Sequence, residues 1–118
     1  MKLFTQEIHD QLIENGQKQE AVRGTKDEID FKPVVKLFTP DAACTWLLTE
    51  LDPDDPDIAF GLCDLGMGCP ELGNVLVSEL GQLRGRLGLP VERDLHFKAD
   101  KTLSAYASEA WRMERIKA

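Results

Sequence analysis

Three glutamates are spaced so that a folded chain could use them in acid–base chemistry. Glu50 ends one predicted strand and Glu71 begins another, and two hairpin connections could bring both to the same end of a sheet. Paired carboxylates divide the acid and base roles when their environments differ. Glu50, Glu71 and Glu92 are therefore the candidate catalytic residues. Surface acids paired with arginine show the same pattern.

A charged segment follows, in which Arg84 precedes the triplet Glu92-Arg93-Asp94. In an extended chain Glu92 and Asp94 point to one side and Arg93 to the other. Arginine can bind a carboxylate through two parallel hydrogen bonds. The segment is thus either an ion-pair clasp onto the sheet or a recognition site.

Trp46 could anchor a partner, because aromatic residues dominate binding hot spots; it could equally pack in the core. With the nearby acids and the charged segment it completes the candidate binding surface. The candidate binding residues are Trp46, Glu50, Asp52, Glu71, Arg84, Arg93 and Asp94.

The charge distribution restricts the class of partner. The net charge is −7, and residues 37–83 contain no lysine or arginine but nine acids. Direct binding to a nucleic-acid backbone is not expected, since it relies on basic residues that neutralise phosphates. A basic protein partner or a divalent cation would suit this region. The acids of this window are Asp41, Glu50, Asp52, Asp54, Asp55, Asp57, Asp64, Glu71 and Glu79.

No motif for a metal or a cofactor is complete. The acidic stretch at 52–57 (DPDDPD) lacks the glycine and glutamate of an EF-hand loop. The glycine-rich stretch at 61–73 lacks the lysine of a phosphate loop. Three cysteines without a CxxC pair are more typical of small buried apolar side chains than of zinc ligands. We expect neither metal nor cofactor.

The 118 residues predict a single domain, 1–118, with a flexible loop at 17–30. No apolar run approaches the roughly 20 residues of a membrane helix, and the start lacks the apolar region of a signal peptide. We expect a cytoplasmic protein without membrane contact.

The elements predict an α+β fold with an antiparallel meander. Thr5 caps a first helix that ends near Asn15, where Gly16 follows. Strands are predicted at 33–38, 44–51, 58–64 and 71–77, with a fifth strand or extended segment at 91–97. Ser78 caps a short helix, and Asp100 or Thr102 caps a C-terminal helix that runs to about Ile116. The stretch 52–57 is predicted as a loop because its two prolines lack ladder N–H groups.

Alternation in the second strand assigns side chains to its two faces. Trp46, Leu48 and Glu50 fall on one face, and Leu47 and Leu51 fall on the other. Because neither face is purely polar, this strand is predicted to be central and covered on both sides.

The order of several short motifs resembles the bacterial proteins catalogued as domain of unknown function 2958. These are small proteins often encoded on plasmids and related mobile DNA. Two departures are Leu47-Leu48 where tyrosine and alanine are usual, and Asn74-Val75 where tyrosine and phenylalanine are usual. The resemblance implies the fold and a mobile-DNA setting, and no activity. The matching motifs are Phe4-Thr5, VKLFTP (35–40), Thr45-Trp46, Thr49-Glu50, Phe60-Gly61, PELG (70–73), SEL (78–80) and GLPVERDLHF (88–97).

Three functions are therefore expected in order. The first is a non-enzymatic accessory or protein-interaction domain of bacterial mobile DNA that uses the acidic sheet surface. The second is an enzyme in which a glutamate acts as acid or base, with or without a divalent metal. The third is an inhibitor that imitates DNA, which requires the nine acids to lie on one face at phosphate-like spacing.

Overall fold

A computed structural model describes residues 2–118, and its architecture confirms the predicted α+β class. These residues form three helices and five strands. In order they are α1 (Gln6–Val22), β1 (Val35–Phe38), β2 (Thr45–Asp52), β3 (Asp55–Asp64), β4 (Glu71–Leu76), α2 (Val77–Gln82), β5 (Glu92–Arg93) and α3 (Leu103–Met113).

The five strands form one antiparallel sheet in the order β4-β3-β2-β1-β5. Strands β1 to β4 are the predicted meander. Strand β5 returns to the far side of β1, where Arg93 pairs with Leu37 and Glu92 pairs with Phe38. The two edges therefore differ, because β4 has six residues and β5 has two.

Helix α1 begins as predicted, with the Thr5 hydroxyl accepting from the Ile8 N–H at 3.1 Å, but the predicted end near Asn15 is wrong. The helix continues to Val22, so the first part of the predicted loop at 17–30 is helical. Gly16 does not end the helix; it allows close packing, since a β-carbon there would overlap the carbonyl oxygen of Leu51. Asn15 is buried beside it and donates to the Thr49 carbonyl at 2.9 Å.

A bulge in β2 changes the faces that alternation predicted. Leu48 pairs with Gly61 and Glu50 pairs with Phe60, so Thr49 is an extra residue. The predicted grouping of Glu50 with Trp46 and Leu48 is therefore wrong. Glu50 shares a face with Phe60, and Leu51 packs in the cluster that contains Trp46 and Leu48.

The acidic stretch 52–57 is a tight hairpin and not a loop throughout. Asp52 pairs with Asp55 across a turn made of Pro53 and Asp54. Strand β3 thus begins earlier than predicted. Pro56 is tolerated because the β2–β3 register shifts around it, and a bulged residue needs no ladder N–H.

Apolar side chains cover both faces of the sheet. On one face α1 and α2 pack over Trp46, Leu48 and Leu51, and on the other α3 packs over Leu47 and Leu62. Residues 46–51 of β2 are all buried, which confirms that this strand is central and covered on both sides.

Two helices take their N-terminal caps from distant aspartates. Ser78 is not the N-cap of α2 but lies inside its first turn, where its N–H and hydroxyl donate to Asp57 at 2.8 and 2.7 Å. Helix α3 starts after Thr102, which is one of the two caps that the sequence predicted. The N–H of Ser104 in its first turn donates to the Asp30 carboxylate at 3.1 Å, and the Ser104 hydroxyl donates to the same carboxylate. A carboxylate at a helix N-terminus satisfies free N–H groups and the helix dipole.

Helix α3 ends at Met113, three residues before the predicted end. Glu114 adopts a left-handed conformation with φ of 60°. The N–H of Ile116 then donates to the carboxylate of Asp64 at 3.0 Å, so the tail runs back along the sheet. Within residues 2–118, no helix is both long enough and apolar enough to cross a membrane.

Gly16→Ala tests the close approach of α1 to β2. The added methyl group meets backbone that cannot move freely, so we expect a loss of about 1–3 kcal/mol in the free energy of unfolding. Gly81→Ala in α2 is the control, because open space surrounds Gly81, and alanine is favoured over glycine in a helix by about 1 kcal/mol at most. Urea unfolding followed by circular dichroism measures both; equal stability of the two variants would contradict the packing role of Gly16.

Candidate functional site

The most apolar concavity lies between β4 and α2 and is called the β4 groove. Its volume is about 600 Å³. Asn74 and Glu79 are its only polar residues. It is lined by Cys44, Trp46, Ile58, Leu65, Asn74, Val75, Leu76, Glu79, Leu80 and Leu83.

Trp46 forms part of the floor of the β4 groove. Of the two roles that the sequence left open, it packs in the core and is not an exposed anchor. Only 2% of its surface is exposed. Trp46 pairs with Cys63 and Cys63 pairs with Glu71, so the three side chains lie in a row across β2, β3 and β4. Burial, together with the nearby Glu71 carboxylate, raises the pKa of the Cys63 thiol to about 11. The Cys63 thiol is therefore uncharged at neutral pH.

Helix α2 forms one wall of the groove through Leu80 and Leu83. Asp57 holds its start, and the Arg84 guanidinium donates to the carbonyls of Gly81 and Leu83 at 3.2 and 2.8 Å at its end. Arg84 thus stabilises the last turn, because cations near free carbonyls suit the helix dipole. The sequence identified Arg84 but not this contact.

The opposite wall is the outer strand β4, whose edge is open. All its strand pairing is with β3, from Glu71 opposite Cys63 to Leu76 opposite Ile58. In an antiparallel strand alternate residues direct their N–H and C=O away from the neighbour. In the described chain no loop or side-chain hydrogen bond reaches the backbone of Glu71–Val75, so their outward groups face solvent.

Charge around the groove is negative. Glu79 lines it and Glu71 stands exposed at the start of β4. The three strands and the helix that build the groove come from the part of the chain without lysine or arginine. The groove therefore presents an apolar interior beside acidic side chains.

A second concavity of about 520 Å³ lies beside β5 and is called the β5 pocket. Lys36 contributes an ammonium group that donates to the Ala118 carbonyl at 2.6 Å and lies 3.4 Å from the Asp94 carboxylate. The N–H of His96 and the nearby Lys36 lower the pKa of Asp94. The pocket is lined by Lys36, Phe38, Thr39, Ala42, Ala43, Cys44, Thr45, Glu92, Arg93, Asp94, Leu95 and His96.

Arg93 is a clasp, but not onto a carboxylate as the sequence suggested. Its guanidinium donates to the carbonyls of Lys2 and Leu3 at 2.7 and 3.0 Å. It ties the N-terminal segment to β5. Charge-assisted hydrogen bonds of this kind stabilise the fold and leave less of the guanidinium free for a ligand.

The three candidate catalytic glutamates do not converge. Glu71 lies on β4 and Glu92 on β5, which are the opposite edges of the sheet and, at the usual strand spacing, roughly 19 Å apart. Glu50 pairs with Phe60, which pairs with Asn74, so it lies three residues along the ladder from Glu71. Asp52 is farther still, in the β2–β3 hairpin, where its carboxylate accepts from the Asp54 N–H at 2.9 Å. The expectation that Glu50 and Glu71 share one end of the sheet is wrong, because Glu50 lies toward the β2–β3 hairpin and Glu71 lies toward the opposite end of β3.

Glu50 is the most buried of the three, with 5% of its surface exposed. The Thr49 hydroxyl donates to its carboxylate at 3.2 Å, and the Arg23 guanidinium lies 3.9 Å away. Burial raises the pKa of Glu50, and these two partners only partly oppose it. The bulge at Thr49 creates this environment, and no pattern in the sequence indicated it.

Several acids of the acidic window accept hydrogen bonds from the protein's own backbone. The Asp41 carboxylate accepts from the N–H groups of Leu87 and Leu89 at 2.7 and 3.2 Å. Asp57 accepts from α2, and Asp64 accepts from Gly66 and from the C-terminal tail. These three carboxylates therefore hold a loop, a helix start and the C-terminal tail in place. Across residues 2–118, no three His, Cys, Asp or Glu side chains gather in a way that could hold a metal ion.

Sequence reasoning missed the residues that complete the β4 groove. Leu65 lies in a glycine-rich connection, and Glu79 is one of nine acids in a window of the sequence that does not distinguish among them. A large apolar residue in a polar turn, as at Leu65, was the available signal. The contact of Asp57 with α2 spans 21 residues, and no local pattern reveals it.

Comparison with known proteins gives one match. A family model described as "Protein of unknown function (DUF2958)" matches residues 3–117. No curated protein and no solved structure matches the chain.

Glu50→Gln tests the buried charge. Since the native pKa is raised, the native state binds a proton more tightly than the unfolded state, and wild-type stability falls as the pH rises through this range. We expect the variant to be more stable than the wild type at pH 7, and the difference to disappear near pH 4, about where the unfolded glutamate titrates. Urea midpoints between these pH values measure it.

The control for this prediction is Glu71→Gln, which changes an exposed glutamate on the same sheet. We expect little change in its stability at either pH. If Glu50→Gln were less stable than the wild type at pH 7, the contacts with Thr49 and Arg23 would outweigh the cost of burial.

Proposed function

The chain belongs to the DUF2958 family of proteins of unknown function, as its motifs predicted, and we propose that it is a non-enzymatic interaction domain that binds a protein partner in the β4 groove. Its setting is an accessory role in bacterial mobile DNA, which is what the resemblance implies, and its place of action is the cytoplasm. No activity comes with the family.

One observation carries this proposal: the rim of the β4 groove consists of leucines that have no cover. Leu65, Leu76 and Leu83 are 52%, 38% and 38% exposed and line the same concavity. Exposed apolar residues that cluster around a concave surface are typical of binding sites. Trp46 lies buried beneath them and forms part of the groove floor.

The acids refine the class of partner. Glu79 lines the groove and Glu71 is exposed at the start of β4, its outer strand, and the groove's own elements carry no basic residue. Complementary charge favours a partner with lysine or arginine next to its apolar residues. The surface proposed here replaces the one expected from the sequence, since Glu50 and Asp52 lie elsewhere on the sheet.

An enzyme remains the second candidate, and the β5 pocket is the place that favours it. Glu92 lines this pocket together with Lys36 and His96. A carboxylate beside an ammonium group and an imidazole can serve acid–base chemistry. The enzyme hypothesis ranks second because Glu50 and Glu71, the other two candidate glutamates, lie outside the β5 pocket.

Matched leucine variants test the proposed function. Affinity-tagged wild type, Leu65→Glu, Leu83→Glu and Leu87→Glu are used to recover partners from cells of the source bacterium. Leu87 is 81% exposed and lies outside the groove, so it controls for a new charge on an exposed leucine. We expect a protein whose recovery falls about tenfold or more with either groove variant and not with the control.

Thermal melts of all four proteins check that the variants fold. If the proteins recovered with the groove variants match those recovered with the wild type in identity and amount, the β4 groove is not the binding surface. A loss that appears only with Leu87→Glu would place the surface on the loop at 84–90.

A further inference from the structure

Strand β4 lacks the features that usually protect a sheet edge. Proteins block open edges with lysine, proline, bulges, very short strands or covering segments. Strand β4 has six residues, contains neither lysine nor proline, and pairs with β3 without a register shift. The opposite edge is protected, because β5 has two residues and Arg93 ties it to the N-terminal segment.

Apolar surface lies on both sides of this open edge. On one face Val75 lines the β4 groove. On the other face Leu72 is 40% exposed. Trp111 of α3 is exposed beside the same strand and donates to the Pro70 carbonyl at 2.8 Å. A strand added here would therefore place alternate side chains on apolar surface on both faces.

The charges select between a partner and a second copy of the chain. In an edge-to-edge dimer through β4, the acids Glu71 and Glu79 of both copies would be brought together, and like charges at close range oppose pairing. A segment with lysine or arginine would find opposite charge at the same positions. The carboxylates of Glu71 and Glu79 thus favour a basic partner over self-association.

We infer that an extended, basic segment of a partner protein adds to the sheet as a sixth strand along β4 and places alternate apolar side chains in the β4 groove. This inference rests on the proposed function and specifies its partner. Backbone hydrogen bonds to the outward groups of Glu71–Leu76 supply affinity, and the groove supplies selectivity. Glu71 and Glu79 bind the basic side chains.

Random peptides of about ten residues, the upper length of a usual strand, provide the probe. They are displayed on phage, selected on the wild-type chain and counter-selected on Leu65→Glu. We expect the enriched peptides to alternate apolar residues with lysine or arginine. A synthetic peptide of the most enriched sequence should lose about tenfold or more in affinity on Glu79→Lys and keep its affinity on Leu87→Glu.

Amide hydrogen exchange of the chain with and without this peptide reports strand addition directly. We expect alternate amides of β4 to exchange about tenfold or more slowly in the complex, since new hydrogen bonds protect them. Two variants of the peptide, each N-methylated at one of the two sets of alternate amides, show which set of peptide amides faces β4. We expect one of them to lose binding, because the methyl groups remove the donors that face β4.

Any of the following results would overturn the inference. If the peptide needs Leu65 but leaves β4 exchange unchanged, strand addition is wrong while the groove stands as the binding site. Enrichment of acidic or helical peptides, or of none, would rule out a basic strand as the partner. A dimer in sedimentation that protects β4 without peptide would identify a second copy as the occupant.

Discussion

The structure depends on a central strand that is buried on both faces. Residues 46–51 of β2 are covered by α1 and α2 on one side and by α3 on the other. The backbone of such a strand must form its hydrogen bonds with the neighbouring strands. Its side chains must be covered by a layer of helices on each face. The close contact at Gly16 and the bulge at Thr49 both follow from this demand. The bulge keeps Leu51 in the apolar core and gives Glu50 the buried environment in which its carboxylate resists ionisation.

The sequence predicts the elements of this fold well and their long-range contacts poorly. The Thr5 cap, the four meander strands and the C-terminal helix depend on local patterns, and the structure confirms them. The wrong predictions depend on residues that meet only in the folded chain. Gly16 resembles a helix stop until Leu51 lies against it, and Ser78 resembles a cap until Asp57 supplies one. For the same reason the chain's order could not show that Glu71 and Glu92 lie on opposite edges, whereas Trp46 and Glu71 fall in one row.

The acidity of the middle of the chain has two physical origins. Asp41, Asp57 and Asp64 are internal acceptors that hold a loop, a helix start and the C-terminal tail, so their charge serves the fold. The carboxylates of Glu71 and Glu79 make no hydrogen bond or ion pair with the described residues; Glu79 lies in the first turn of α2 and lines the groove, and Glu71 is exposed on β4. Acids that no internal contact explains are the better indicators of an external ligand. The two edges of the sheet differ in the same way, because Arg93 ties β5 to the N-terminal segment by hydrogen bonds and β4 has no such contact among the described residues.

Because distant aspartates cap α2 and α3, these helices depend on other parts of the fold, which affects the order of folding. Asp57 reaches α2 over 21 residues, and Asp30 reaches α3 over 74 residues. A short helix gains little from its own propensity, so α2 cannot be stable until the β3 strand that carries Asp57 is in place. The start of α3 likewise waits for the segment after α1. Closing such long loops before the contacts form costs entropy and slows folding. The meander, whose strands are joined locally, is therefore the part of the chain that can assemble first, and the helices that frame its surface form on it afterwards.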